Sequence, residues 1–121
     1  MSQSIARHGD RFLQRVFTPQ EIEYCRSLIH AGPHWAARFA AKEALFKAVS
    51  PGILDVLVWR EIGVSRHESG APSLQLSGGT QEKLTGWRFA LALSHTRTLA
   101  IAQVIALPPG ADLISGDAPA L

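Results

Sequence analysis

Through the first half of the chain, apolar residues fall at helical spacing; after residue 55 they fall at alternate positions. Ile5 to Val16 predicts a short helix, with Ile5, Phe12, Leu13 and Val16 on one side. Arg7, Arg11 and Arg15 repeat every four residues on another side. Thr18-Pro19 followed by Glu21 is a helix start: a Thr N-cap, Pro at the first helical position and the Glu of a capping box. That helix is expected to run to about His30, where Ala31-Gly32-Pro33 stops it. His34 to Val49 is rich in alanine, with Trp35, Phe39 and Phe46 near the spacing of one face, and Ser50-Pro51-Gly52 ends it. Val56, Val58, Ile62 and Val64 then alternate as in a strand, and Leu74 and Leu76 mark its partner. Between them His67-Glu68-Ser69-Gly70-Ala71-Pro72 is turn chemistry. Gly78-Gly79-Thr80 opens a turn or short helix that reaches Gly86. Phe89–Ser94 and Leu99–Leu107 form two apolar strands, joined through Thr96-Arg97 as a hairpin.

Helices first and an antiparallel sheet of about four strands after them make an α+β arrangement, in which the Trp35/Phe39/Phe46 stripe covers the sheet. One domain is expected over residues 1–107. Residues 108–121, rich in Pro, Gly, Ala and Asp and without periodicity, are expected to be a flexible tail.

Composition narrows the class. A chain of 121 residues with 46% hydrophobic and 18% charged residues is long enough and apolar enough for a single core without staples. The apolar run from Phe89 to Leu107 is interrupted by Ser94-His95-Thr96-Arg97-Thr98, so it is not a membrane span, and no secretory signal is expected in the first ten residues. Cys25 stands alone, which excludes an intramolecular disulfide and a cysteine zinc site and suits a cytoplasmic setting. The net charge of +2 is too small to argue for nucleic acid. Its distribution says more: nine of the twelve basic residues are Arg, and residues 1–50 hold seven bases against four acids. Guanidinium grips carboxylate and phosphate with geometry, so an acidic partner is worth considering, and the Arg7/Arg11/Arg15 row is either a solvated face or its landing site.

Candidate chemistry centres on Arg38-Phe39-Ala40-Ala41-Lys42-Glu43-Ala44-Leu45-Phe46-Lys47. Glu43 and Lys47 stand four apart on one side of the helix. They form either a surface ion pair or a carboxylate for a divalent cation beside an ammonium for phosphate. His95, where two apolar strands meet, is a general base, a phosphate contact or a polar turn residue. Gly78-Gly79-Thr80 lacks the Lys-Ser/Thr of a phosphate loop, and the five histidines show no metal-ligand spacing.

Four of these segments, in order, resemble one family. Trp35-Ala36-Ala37-Arg38-Phe39-Ala40-Ala41-Lys42-Glu43-Ala44-Leu45-Phe46-Lys47-Ala48 is similar to the signature helix of the 4′-phosphopantetheinyl transferases of the holo-acyl-carrier-protein synthase type. The segment from Arg7 through Thr18-Pro19-Gln20-Glu21 resembles the family's stretch after its first strand. Gly70-Ala71-Pro72 resembles its Gly-Lys-Pro turn, and Leu93-Ser94-His95-Thr96 followed by Ala100-Ile101-Ala102 resembles its closing hairpin. The likeness runs from about residue 5 to 106.

The resemblance implies transfer of 4′-phosphopantetheine from coenzyme A to a serine of an acyl carrier protein, with release of adenosine 3′,5′-bisphosphate. It implies Mg²⁺ at Glu43 and Lys47 near the transferred phosphate. It implies that Arg38, Gly70, Pro72, Ser94, His95 and Thr96 contact coenzyme A, and that Arg7, Arg11 and Arg15 contact the carrier protein. It also implies a homotrimer with sites between subunits, Arg38 reaching a neighbour's coenzyme A, and no nucleic-acid or membrane partner. Ala71 stands where the family has Lys, which removes one phosphate contact. The family begins with a strand of the form Gly-x-Asp-x-Val-Glu, whose Asp is its second metal ligand. The sequence Met1-Ser2-Gln3-Ser4-Ile5 corresponds to the helix after that strand, and Asp10 does not replace its Asp. Magnesium held by Glu43 alone is expected to bind weakly. The alternative expectation is a truncated or inactive relative that only binds carrier protein and coenzyme A.

Overall fold

A computed structural model describes residues 2–49, 57–66 and 69–111, with the side chains of residues 2–8 excepted. The order is α1 (Ser2–Val16), α2 (Pro19–Arg26), α3 (Gly32–Val49), a 3₁₀ turn (Trp59–Glu61), β1 (Ile62–Arg66), β2 (Pro72–Leu76), α4 (Gly78–Lys83), β3 (Arg88–His95) and β4 (Ala100–Leu107). The expected Ser50-Pro51-Gly52 stop, Val56, His67-Glu68 and most of the tail, residues 112–121, lie outside the described residues.

The helices follow their sequence signals with three corrections. α1 is bent at Gly9, which adopts φ 61° and ψ −149°, a left-handed conformation open to glycine. Arg7 precedes the bend and Arg11 and Arg15 lie beyond it, so the three do not share one straight helical face. α2 starts as expected: Thr18 Oγ1 accepts from the Glu21 amide at 3.1 Å and Glu21 Oε1 accepts from the Thr18 amide at 2.9 Å. It ends at Arg26 rather than His30, capped by Ser27, whose hydroxyl donates to the Tyr24 carbonyl. Gly32 and Pro33 belong to the first turn of α3, where the missing proline N–H costs nothing.

The expected four-stranded sheet is two hairpins among the described residues. β1 pairs antiparallel with β2, from Ile62 opposite Leu76 to Arg66 opposite Pro72. β3 pairs antiparallel with β4, from Arg88 opposite Leu107 to His95 opposite Ala100. Val58 is not in a strand, because the 3₁₀ turn intervenes before Ile62. The β3–β4 turn is held by Thr96, whose amide donates to the Leu99 carbonyl at 2.8 Å and whose Oγ1 accepts from the Leu99 amide at 3.1 Å.

α3 lies on the inner face of β3–β4. Leu45, Phe46 and Val49 bury against Leu57, Ile62 and Leu84, with Leu74, Leu76, Phe89 and Val104 around them. Trp35 does not cover the sheet as expected. It joins Leu13, Phe17 and Cys25 in a second cluster between the helices, edge-on to Phe17 at 4.7 Å. Phe39 and Phe46 both pack on Trp59, at 5.2 and 4.7 Å between ring centres. The stripe therefore divides between two clusters, since Trp59 and Phe17 approach the helix from different sides.

Candidate functional site

α3 carries the site, and its two neighbours Lys42 and Glu43 have different surroundings. Lys42 has no exposed surface. Its Nζ donates to Glu21 Oε1 and the Val16 carbonyl, both at 2.6 Å, and to the Trp59 carbonyl at 3.3 Å, and it lies over the Phe17 ring. The second Glu21 oxygen accepts from the Val64 amide at 2.9 Å. One buried carboxylate thus joins the α2 cap, β1 and α3. Burial pushes the Lys42 ammonium below the ordinary lysine range, while Glu21 opposes that shift. The signal was in the sequence: Lys42 falls on the side of α3 that carries Trp35, Arg38, Leu45 and Phe46, so it had to bring a buried partner.

Glu43 is half-buried and, among the described residues, makes no ion pair and no hydrogen bond. Lys47, four residues on, is exposed. The surface pair that spacing allowed is not formed. At about 100° per residue, Ala36, Ala40, Glu43 and Lys47 share one face of the helix. Small side chains at Ala36 and Ala40 leave that face shallow toward its N-terminal end. There a cavity of about 690 Å³ opens, lined by Ile29, His30, Pro33, Ala36, Arg97 and Leu99. Its size lies in the range of small-molecule sites.

The other predicted contacts gather on the opposite side. Arg38 is 5% exposed; its guanidinium lies over the Tyr24 ring at 4.6 Å and its Nη1 donates to the His34 carbonyl at 3.3 Å. Its Nε is buried and, among the described residues, has no hydrogen-bond partner. The His95 ring stands 5.0 Å from that of His34, which is 6.0 Å from Tyr24. Arg66 donates to the Gly70 carbonyl at 3.1 Å, so the Gly70 turn, at φ 90°, is tied to the end of β1. A smaller cavity of about 240 Å³ is lined by Tyr24, Arg38, Ser65, Arg66, Gln20 and Gln75. Pro72 opens β2.

Alternation along β3 separates two residues expected to act together. Phe89, Leu91, Leu93 and His95 share the side facing α3, and Ser94 lies on the outer face with Ala90 and Ala92. The Thr96 hydroxyl oxygen is engaged in the turn. On α1, Arg11 and Arg15 are exposed. Asp10 pairs with Arg26. The side chain of Arg7 lies outside the described residues.

Among the described residues no three His, Cys, Asp or Glu side chains converge on a common point. Glu43 nevertheless fits one mode of Mg²⁺ binding, in which one or two carboxylates hold the ion and substrate phosphates and water complete its shell. Sequence reasoning missed His34, Tyr24 and Arg66, which become neighbours only through the packing of α2, α3 and the hairpins.

Known proteins are similar to this chain in sequence and in fold. The model of the 4′-phosphopantetheinyl transferase superfamily matches residues 1–104. The chain is 44% identical to a holo-acyl-carrier-protein synthase of Koribacter versatilis (strain Ellin345), over 87% of this chain and 86% of that protein. It is 39% identical to the synthase of Solibacter usitatus (strain Ellin6076), over 87% and 86%. The fold is similar to the crystal structure of holo-acyl-carrier-protein synthase from Neisseria meningitidis, with a TM-score of 0.76 and 28% identity over 88% of this chain and 87% of that one. It is likewise similar to the Helicobacter pylori synthase in complex with coenzyme A, with a TM-score of 0.72 and 29% identity over 88% and 90%. With the family model covering the helices, the first hairpin and the second as far as residue 104, the chain belongs to the 4′-phosphopantetheinyl transferase superfamily.

Proposed function

We propose that this chain transfers 4′-phosphopantetheine from coenzyme A to a serine hydroxyl of an apo-acyl carrier protein. The serine oxygen forms a bond to the phosphorus that bears pantetheine. The bond from that phosphorus to the bridging oxygen breaks, adenosine 3′,5′-bisphosphate leaves with the electron pair, and the serine proton is lost. The observation that carries this reading is Glu43: a half-buried carboxylate with no ion pair or side-chain hydrogen bond among the described residues, on a helix whose adjacent Lys42 is wholly consumed inside. Glu43 and Lys47 on one face suit a polyanion and its counter-ion. Mg²⁺ bound there would neutralise charge on the pyrophosphate. Lys47 offsets charge on the transferred phosphate, and the shallow alanine face and the cavity beside Arg97 admit the nucleotide.

The same helix supports a site shared between copies, in the homotrimer that the family resemblance implies. Arg38 and Glu43 are five residues apart, which turns them about 140° from each other around α3, and His34 stands about 180° from Glu43. One coenzyme A on one chain does not span both faces; a second copy that presents its Arg38/His95 side to the first chain's Glu43 completes the site. The outer face of β3–β4 offers the contact surface, since Ile101 and Ile105 remain 59% and 54% exposed there. Arg11 and Arg15 suit an acidic carrier protein. We place the reaction in the cytoplasm, where a single buried thiol is stable. Among the described residues no helix is long and apolar enough to cross a membrane.

Incubation with apo-carrier protein, coenzyme A and Mg²⁺ tests the reading by mass spectrometry of the carrier. A mass gain equal to the phosphopantetheine arm is expected. Carrier binding without mass gain would replace the transferase by a binding module.

A further inference from the structure

Among the described residues, the junction of α2, α3, β1 and β3 brings positive and titratable groups together. His34 faces His95 from β3, Arg38 from its own helix, Arg66 from β1 and the Tyr24 ring from α2. The nearby carboxylate, Glu21, is taken by Lys42 and the amides of Thr18 and Val64. Two histidine rings 5.0 Å apart beside two guanidiniums repel when protonated, and the buried Arg38 Nε has no hydrogen-bond partner among the described residues. Such an arrangement is stabilised by an anion.

We propose that His34 is a proton-linked binding residue for a phosphate monoester, which occupies the junction together with His95, Arg38 and Arg66 and brings a proton to His34 as it binds. This rests on the transferase reading for the identity of the phosphate, a nucleotide phosphate of the donor or of the released product. A dianion next to the imidazole favours the charged ring, and the charged ring favours the dianion, so the two events are coupled. In the ligand-free chain, burial and then the His95, Arg38 and Arg66 charges lower the affinity of His34 for its proton. Between the lowered value of the free state and the raised value of the complex, binding takes up protons and affinity falls as pH rises. In the free chain the sign is opposite: the unfolded state binds the proton more readily, so stability falls as pH drops below the ordinary histidine range near 6.5.

The test is a histidine proton-resonance titration of the whole protein from about pH 5 to about pH 8.5, a span that brackets the ordinary histidine range, with and without saturating adenosine 3′,5′-bisphosphate. The His34 signal is identified by its loss in both H34F and H34Q. Its midpoint is expected to move up on binding, and calorimetry in two buffers of different ionisation heat is expected to show more proton uptake by wild type than by either variant. The subtraction cancels the titration of the phosphate itself. If adenosine 5′-monophosphate gives no such difference, the phosphate recognised is the 3′ one; if it gives the same difference, it is the 5′ one, and both results support the site. An unmoved His34 midpoint, equal uptake in wild type and variants, or no binding heat overturns it. Carrier loading is scored separately: a protein that loads carrier without His34 protonation sinks only this inference, and one that binds the bisphosphate with His34 protonation but never loads carrier sinks only the transferase reading.

Discussion

Lys42 and Glu43 are adjacent in sequence and opposite in consequence. Lys42 satisfies Glu21 and two carbonyls in a site closed to water. K42M therefore leaves a buried carboxylate uncompensated and is expected to cost roughly 3–5 kcal/mol in urea unfolding. E21Q in the same background removes that charge at the cost of one acceptor, since the Thr18 and Val64 amides bind different Glu21 oxygens and Gln keeps only one of them; the buried charge is the larger penalty, so E21Q/K42M is expected to be more stable than K42M alone. Equal stabilities would show that the ion pair does not set the cost. E43Q touches no internal partner, so its unfolding midpoint is expected to stay within about 0.5 kcal/mol of wild type. Its turnover is nevertheless expected to fall by about 10²–10³, the scale seen when one charge-stabilising group is removed from an active site. Wild-type turnover in E43Q would take Glu43 out of the site. Cys25 belongs with the inert residues: it is buried and its thiol is raised to about 11, chiefly by burial. Alkylating reagents at neutral pH are expected to label it only after unfolding.

At the scale of elements, the exposed guanidiniums on α1 are expected to act through association rather than chemistry. R11E/R15E is expected to slow carrier capture at low salt by about 10- to 10³-fold and to flatten its salt dependence, read by stopped-flow binding. An unchanged association rate with a raised KM for coenzyme A would move these residues to the nucleotide side. The helices were legible because their ends are written locally: Thr18, Pro19 and Glu21 specify a start that needs no tertiary partner. The β3–β4 hairpin was legible for the same reason, since alternation and the Thr96 turn are short-range. The pairing of β1 with β2 was legible too, from Leu74 and Leu76 opposite the Ile62–Val64 alternation; the separation into two sheets was not, because which strand edges meet depends on what α3 covers. The site divides in the same way. Glu43 and Lys47 were visible as spacing on one helix. The burial of Arg38 beneath Tyr24, and the meeting of His34 with His95, required three elements to pack before any signal existed. Gly9 shows the converse: a single local residue broke the arginine row that even spacing had implied.

The whole-molecule question is whether one chain holds a complete site. The Glu43/Lys47 face and the Arg38/His95 face point away from each other on α3, so the reading requires each coenzyme A to touch two copies. E43Q and H95A damage opposite halves, and both residues lie away from the buried clusters. Each variant alone is expected to be nearly inactive in carrier loading. Mixed, dissociated under mild denaturant and reassembled, they form sites in which Glu43 comes from the H95A chain and His95 from the E43Q chain. Random assembly of equal amounts leaves about one site in four with both halves intact, so turnover is expected to recover to about a quarter of wild type. I101K/I105K, which places charge on the outer face of β3–β4, is expected to prevent that recovery and to shift the protein to monomer in sedimentation. Recovery requires both halves to meet across a boundary; if the two variants stay inactive after demonstrated subunit exchange, or if monomeric I101K/I105K retains full turnover, the two faces of α3 do not serve one ligand and the shared site is excluded.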